Sequence, residues 1–380
     1  MEELTKITDN VSKVIDEATR EIREAVDSLD PPEVYPLNRR SLLNICAAVA
    51  VDTGQTLFSG VLRNVGVALY QVASSQENDD PKSYAFWVNP NLPDPTDPNE
   101  KIEAGKLTRK DAINAQLDKL LEQDQLVKDF VKSMRWVRIY QPGAMQPSCY
   151  TSAATLSSFL REVLEWAKLY EVARRLKEIQ SLGTGIQPVL LRDGTLRFAH
   201  TSEEVSTPLG KLFQDLKVPI LGISKKSALL RSPVIVLWLA KHGVYARGES
   251  FMVRIDKEMF KKLGWRLERY FGEEGYRFGR YTLVRFDPLP GSRNLFAVDV
   301  PEYTLDNLDE TLVLLSGVAQ QSTATSYPVP GYPISLRKVH DKVVFTEDKV
   351  YLLENTFRRS TPQEIYELLK NLESFERSVK

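Results

Sequence analysis

Over residues 2–28 apolar side chains recur at helical spacing, with Leu4, Ile7, Val11, Val14, Ile15, Ala18, Ile22 and Val26 set among charges. The pattern predicts a long amphipathic helix that ends before the proline-rich DPPEVYP stretch. The period then shortens. A strand is expected from Ile45 to Asp52, and the alternation in TLFSGVLRNVGVALYQVAS predicts a second and a third strand returning beside it as hairpins. Residues 75–105, dense in Pro, Asp and Asn, read as an exposed loop, followed by a helical segment over 107–134 and a short strand, WVRIYQ. Thr155 to Ser181 predicts a long helix, and Gly183 and Gly185 lead from it into the apolar run IQPVLLRDG, which ends at Asp193. Further strands are expected at VPILGISK, SFMVRID, RYTLVRFD and NLFAVDV. SPVIVLWLAKHG and LDNLDETLVLLSGVA read as helices, YPVPGYPISLRKVHDKVVFT as a turn opening a helix, and 361–380 as a closing amphipathic helix. This order of elements belongs to the α/β class, a mixed sheet flanked by helices.

A chain of 380 residues with 42% hydrophobic content can bury a sizeable core, as one large domain or two smaller ones. Its longest apolar run, PVIVLWLA, is far short of the roughly 20 residues that span a bilayer, and the charged N-terminal segment lacks a signal-peptide pattern, so a cytoplasmic location is expected. Cys46 and Cys149 are the only cysteines, which excludes a disulfide framework and a cysteine zinc site. Any metal would be held by oxygen or imidazole. The net charge of −1 hides an asymmetry: residues 211–285 hold 16 Lys and Arg against 7 Asp and Glu, a local cationic character that suits a phosphate backbone.

Two acids finish apolar runs, Asp52 after AVAV and Asp193 after VLLR. A carboxylate at the end of a buried strand sits at the rim of the sheet, where open α/β folds form ligand crevices. Convergent carboxylates there bind hard cations such as Mg²⁺ or Mn²⁺. An Asp before Gly is also an ordinary turn signal, so the paired setting is what carries the metal reading. VDTGQT fits the Asp-x-Gly-x-Thr phosphate loop of actin-like ATPases as well, but the chain has no Gly-Gly dipeptide for the adenosine side.

AVAVDTG, FLREVLEWAKLYE, VLLRDGTLR, LGISKKS and GYPISLRKVH, in this order over roughly residues 45–345, resemble the NurA nuclease family. The closing motif sets a histidine, His340, eight positions after Tyr332. The resemblance implies an RNase H-like core over 39–345, with residues 1–38 as an N-terminal helical segment and 346–380 as a strand and helix packed on it. It also implies a Mn²⁺- or Mg²⁺-dependent nuclease, with two ions, acting on single- and double-stranded DNA. A homodimer is implied, as is partnership with a HerA-type hexameric translocase in DNA end resection; a catalytically inactive DNA-binding adaptor on such a translocase is the alternative.

Carried over by position, Asp52 and Asp193 become metal ligands, with a glutamate from the helix between them. Glu165 and Glu171 both lie on that helix. A helix antiparallel to strand 187–193 covers about 23 Å, roughly 15 residues, which counted back from Ser181 arrives near Glu165. Glu171, however, falls on the stripe of Leu160, Val163, Leu164 and Ala167. Glu165 is favoured as catalytic and metal-ligating. Lys225 becomes a phosphate contact, Tyr332 a positioning group, and His340 a metal ligand or proton-transfer group. Trp265, Tyr270, Phe271 and Tyr276 are candidates for stacking on unpaired bases. Thr53-Gly54 after the first acid and Arg192 before the second depart from the family pattern.

Overall fold

The chain is described by a computed structural model that covers residues 2–37, 46–58, 66–88, 124–134, 153–183, 187–198, 201, 203–263, 278–322, 329–360, 362–364 and 367. The strands are β1 (Val34–Pro36), β2 (Cys46–Phe58), β3 (Gly66–Ser74), β4 (Lys82–Val88), β5 (Gln187–Asp193), β6 (Ile220–Ser224), β7 (Phe251–Arg254), β8 (Gly279–Arg285) and β9 (Phe296–Pro301). The helices are α1 (Glu2–Asp27), α2 (Gln125–Ser133), α3 (Ala153–Ser181), α4 (Glu203–Leu216), α5 (Ala228–Arg231), α6 (Pro233–Lys241), α7 (Lys257–Lys262), α8 (Glu302–Leu305), α9 (Leu308–Gln320), α10 (Ile334–Val343) and α11 (Glu347–Ser360).

All nine described strands join one sheet, in the order β1-β7-β8-β9-β6-β5-β2-β3-β4. β2, β3 and β4 form an antiparallel meander, β5 lies parallel to β2, and β6 lies parallel to β5. Counted from β2, these five strands run third, second, first, fourth, fifth, with the second antiparallel. That is the RNase H-like arrangement. Antiparallel β9, β8, β7 and β1 extend it on the β6 side.

Alternation along each strand sorts residues to two faces. Ala50, Val189, Leu191, Leu221 and Ile223 go to the front, under Leu314, Leu315 and Val318 of α9 and Leu336, Val339 and Val343 of α10. Val51, Val72, Leu190 and Ile220 go to the back, against α3. α3 buries residues on most of its circumference, from Phe159 and Leu160 through Trp166 and Leu169 to Val172 and Leu176, because the sheet, α2 and α4 all pack on it. On the β7–β8 side, a third cluster joins Phe251, Val253 and Leu283 to Trp238 and Leu239 of α6 and to Val26 near the end of α1.

Several expected boundaries move. β2 does not stop at Asp52 but continues to Phe58, because β3 stays in register with it from Val51↔Ser74 to Phe58↔Val67. The loop expected over 75–105 contains β4, whose KSYAFWV follows residues too polar to announce a strand. β1 hides in the proline-rich stretch after α1; it is the edge strand, where proline is tolerated. α4 forms around Val205, Leu209 and Phe213 although Pro208 interrupts its sequence. The helix read over LDNLDETLVLLSGVA starts at Leu308 as α9, just after the short α8, with the Asn307 side chain capping α9 through the Glu310 amide at 3.2 Å. Ahead of the closing helix read over 361–380 stands α11, Glu347–Ser360. The strand at WVRIYQ, residues 107–123 and most of 361–380 lie outside the described residues.

Gly54 sets how closely α10 approaches the sheet. A Cβ there would lie 1.8 Å from the carbonyl oxygen of Val343, so backbone meets backbone without a side chain between them. Gly54→Ala is expected to push α10 away from β2 and to destabilise the fold by about 1–3 kcal/mol, the usual cost of overpacking. The shift of the urea unfolding midpoint measures it.

Candidate metal centre

The register of β2 and β5 explains how an apolar strand can carry an acid. Parallel pairing ends at Val51↔Arg192, and β5 itself ends one residue later. Asp52 and Asp193 therefore stand side by side where β2 loses its neighbour, on the front face by alternation. α10 faces them: the Nδ1 of His340 lies 3.0 Å from Asp52 Oδ2. One ligand atom from each of Asp52, Asp193 and His340 falls within 4.8 Å of the others.

Each group is held. The Thr53 amide donates to Asp52 Oδ1 at 2.7 Å. Tyr332 donates its phenolic proton to Asp193 Oδ2 at 3.0 Å, and Lys225 places its ammonium 3.1 Å from the same oxygen. That ammonium also lies 4.2 Å from the centre of the Tyr332 ring, a cation–π contact. Burial, reinforced by the Asp193 carboxylate, raises the Tyr332 phenol far above its ordinary value, so it is a neutral donor and not a base. The hydrogen bond to Asp52 raises the His340 imidazole above 6.5 against the opposing effect of burial. Lys342, two residues on, donates to the carbonyls of Ser74, Gln76 and Asp79 at 3.2, 2.6 and 3.0 Å. α10 is thus fastened to the loop after β3 as well as against Gly54.

The helix carboxylates behave differently. Glu165 is fully buried on the back face, with Oε1 bound by Arg192 Nε and Oε2 by Arg161 Nη1, each at 2.7 Å. It lies close enough to feel Asp52 electrostatically, but it is not among the converging ligand atoms. Burial raises its carboxyl, while Arg192 and Arg161 oppose the rise. Glu171 is engaged by Lys168 at 3.0 Å and by Arg175, next to Asp79. Of the site residues read from sequence, the structure brings together Asp52, Asp193, Lys225, Tyr332 and His340 and leaves both helix glutamates in other company. Trp265, Tyr270, Phe271 and Tyr276 lie outside the described residues. Arg161 and Glu162 take part in the back-face network without having been singled out as site residues; the signal was an arginine, Arg192, in an otherwise apolar strand, which demands buried acceptors.

Two carboxylates and an imidazole, in reach of one another and partly open to solvent, are a donor set suited to Mn²⁺ or Mg²⁺. No family model matches the chain, and no curated protein matches it. Solved structures that it resembles include the following three. The NurA nuclease from Sulfolobus solfataricus is 13% identical with a TM-score of 0.43, covering 95% of this chain and 98% of that one. A NurA structure bound to dAMP and manganese is 10% identical with a TM-score of 0.35, covering 96% and 98%. The catalytic domain of human endonuclease V is 14% identical with a TM-score of 0.28, covering 92% and 97%.

The raised His340 value has a definite sign. In the metal-free protein the His340–Asp52 pair contributes stability that is fully present below the ordinary histidine value of 6.5 and is lost as pH rises through the raised folded value. An NMR titration is expected to place the His340 pKa above 6.5 in the unaltered chain and to bring it down in Asp52→Asn. An unchanged titration in the variant contradicts the pairing.

Proposed function

We propose that the chain is a divalent-metal-dependent deoxyribonuclease, with Asp52, Asp193 and His340 as the metal-holding groups. The observation that carries this reading is the convergence of their ligand atoms within 4.8 Å at the sheet rim. A Mn²⁺ or Mg²⁺ ion there, or a pair, would supply Lewis-acid activation of water and charge stabilisation on a phosphodiester. Glu165 enters the reading as the carboxylate that two arginines hold behind the site, contributing field and position from the back face.

The chain's own groups divide the remaining work. Lys225, 23% exposed at its side chain, is the cation placed to contact a phosphate oxygen at the rim. Tyr332 keeps Asp193 Oδ2 oriented by donating to it, which leaves the other carboxylate oxygen for a ligand. His340 competes with any cation while protonated, so metal binding strengthens as pH rises through its raised value. The cationic stretch 211–285 supports DNA as the substrate through its phosphates. A homodimeric state, a HerA-type partner and a role in DNA end resection complete the proposal; the sequence resemblance supports these.

Asp52→Asn and Asp193→Asn are each expected to reduce Mn²⁺-dependent degradation of end-labelled single- and double-stranded DNA by more than the roughly 10–100-fold typical of an outer-shell change. Unchanged circular dichroism checks that the fold is kept. Full activity in either folded variant overturns the proposal. Binding of Mn²⁺ to the unaltered chain is expected to tighten as pH rises past the ordinary histidine value of 6.5 and through the raised His340 value, and His340→Asn is expected to abolish that dependence, both measured by calorimetry.

A further inference from the structure

We infer that Arg192 is a positioning residue for the metal centre: a buried guanidinium on the back of the sheet that fixes the strand end carrying Asp193 on the front. The inference rests on the metal-centre reading above. Neighbouring strand residues point to opposite faces, so Arg192 and Asp193 are the two sides of one strand terminus. Arg192 is 2% exposed, and a cation so buried persists only with acceptors around it. Its Nε donates to Glu165 Oε1 at 2.7 Å and its Nη2 to Glu162 Oε2 at 2.5 Å, both on α3. Its Nη1 donates to the carbonyls of Thr195 and Arg197, in the turn that follows Asp193. One planar group therefore ties that turn to the helix behind the sheet, with the Trp166 ring 4.6 Å beneath it.

The turn is clamped from its other side too. The Leu196 amide donates to Asp299 Oδ2 at 2.7 Å, and the Gly194 amide to the Ile223 carbonyl at 2.9 Å. Gly222 admits the close approach: a Cβ there would lie 2.5 Å from the Gly194 oxygen. Arg161 completes the charge balance by donating to Glu162 Oε1 and Glu165 Oε2 at 2.7 Å each, so two guanidiniums meet two carboxylates. Arg192 thus directs its donors to the back face and the turn, and Asp193 keeps its charge for the front. A lysine cannot replace this fork, because its three donors radiate from a single point.

The test measures Mn²⁺ affinity of the full chain by electron paramagnetic resonance, together with amide exchange at Gly194 and Leu196 in metal-free protein. Arg192→Met combined with Glu162→Gln removes one cation and one anion and leaves the Arg161–Glu165 pair, so the back face stays neutral. Arg192→Lys keeps the cation and loses the fork. Both variants are expected to exchange those amides faster and to bind Mn²⁺ about 10–100-fold more weakly, with no rescue by lysine. Unaltered affinity in either folded variant overturns the inference, and Arg192→Lys decides alone if the double variant does not fold. An unaltered chain that binds no Mn²⁺ overturns the metal-centre reading itself, and the inference with it.

Discussion

Two like charges set side by side govern this structure. Asp52 and Asp193 sit on adjacent parallel strands, on one face, with ligand atoms no more than 4.8 Å apart. At an effective dielectric near 20, unit charges at that distance repel by about 3.5 kcal/mol. Folding the sheet in this register is tolerable only if cations gather at the same rim. Lys225 and His340 do so from β6's end and from α10, one on each aspartate. The arrangement is a pair of acids with two monovalent partners, one of them a titrating imidazole, and a divalent ion matches the acids better than either partner.

Placement of those cations follows from backbone packing more than from side-chain reach. α10 lies against β2 because residue 54 has no Cβ, and it is tied to the loop after β3 by the Lys342 ammonium on three carbonyls. Behind the sheet, charge is neutralised within itself: Arg161, Arg192, Glu162 and Glu165 bind one another. The two faces therefore have different electrostatic characters: an ion-pair network behind, whose Arg161 still feels both aspartates, and an acid pair open to an outside cation in front. Breaking the rear network would leave buried charge unpaired, which is far costlier than losing a surface ion pair.

The apolar runs made the central strands legible, since β2, β5, β6, β8 and β9 each contain an unbroken or alternating hydrophobic stretch. β1, β4 and α4 were illegible because proline or polar neighbours masked them, and only pairing with β7 and β3, or packing on α3, reveals them. Asp52 and Asp193 stood out as acids closing apolar runs. Lys225, Tyr332 and His340 carry no such local signal; the resemblance singled them out, and the fold supplies the proximity. For Glu165 the rise per residue of helix and strand gave a depth along α3, but length arithmetic says nothing about which face of the sheet that helix covers. The parity of Arg192, one residue before Asp193, settles that.

A divalent ion belongs at the rim that Asp52, Asp193 and His340 share. Crystals grown or soaked with Mn²⁺ and measured on either side of the manganese absorption edge locate it directly. Anomalous density within coordination distance of the Asp52 and Asp193 carboxylates and the His340 ring is the result predicted here. Density at other residues only, or none at this rim at saturating Mn²⁺ and a pH above the His340 titration, would contradict it.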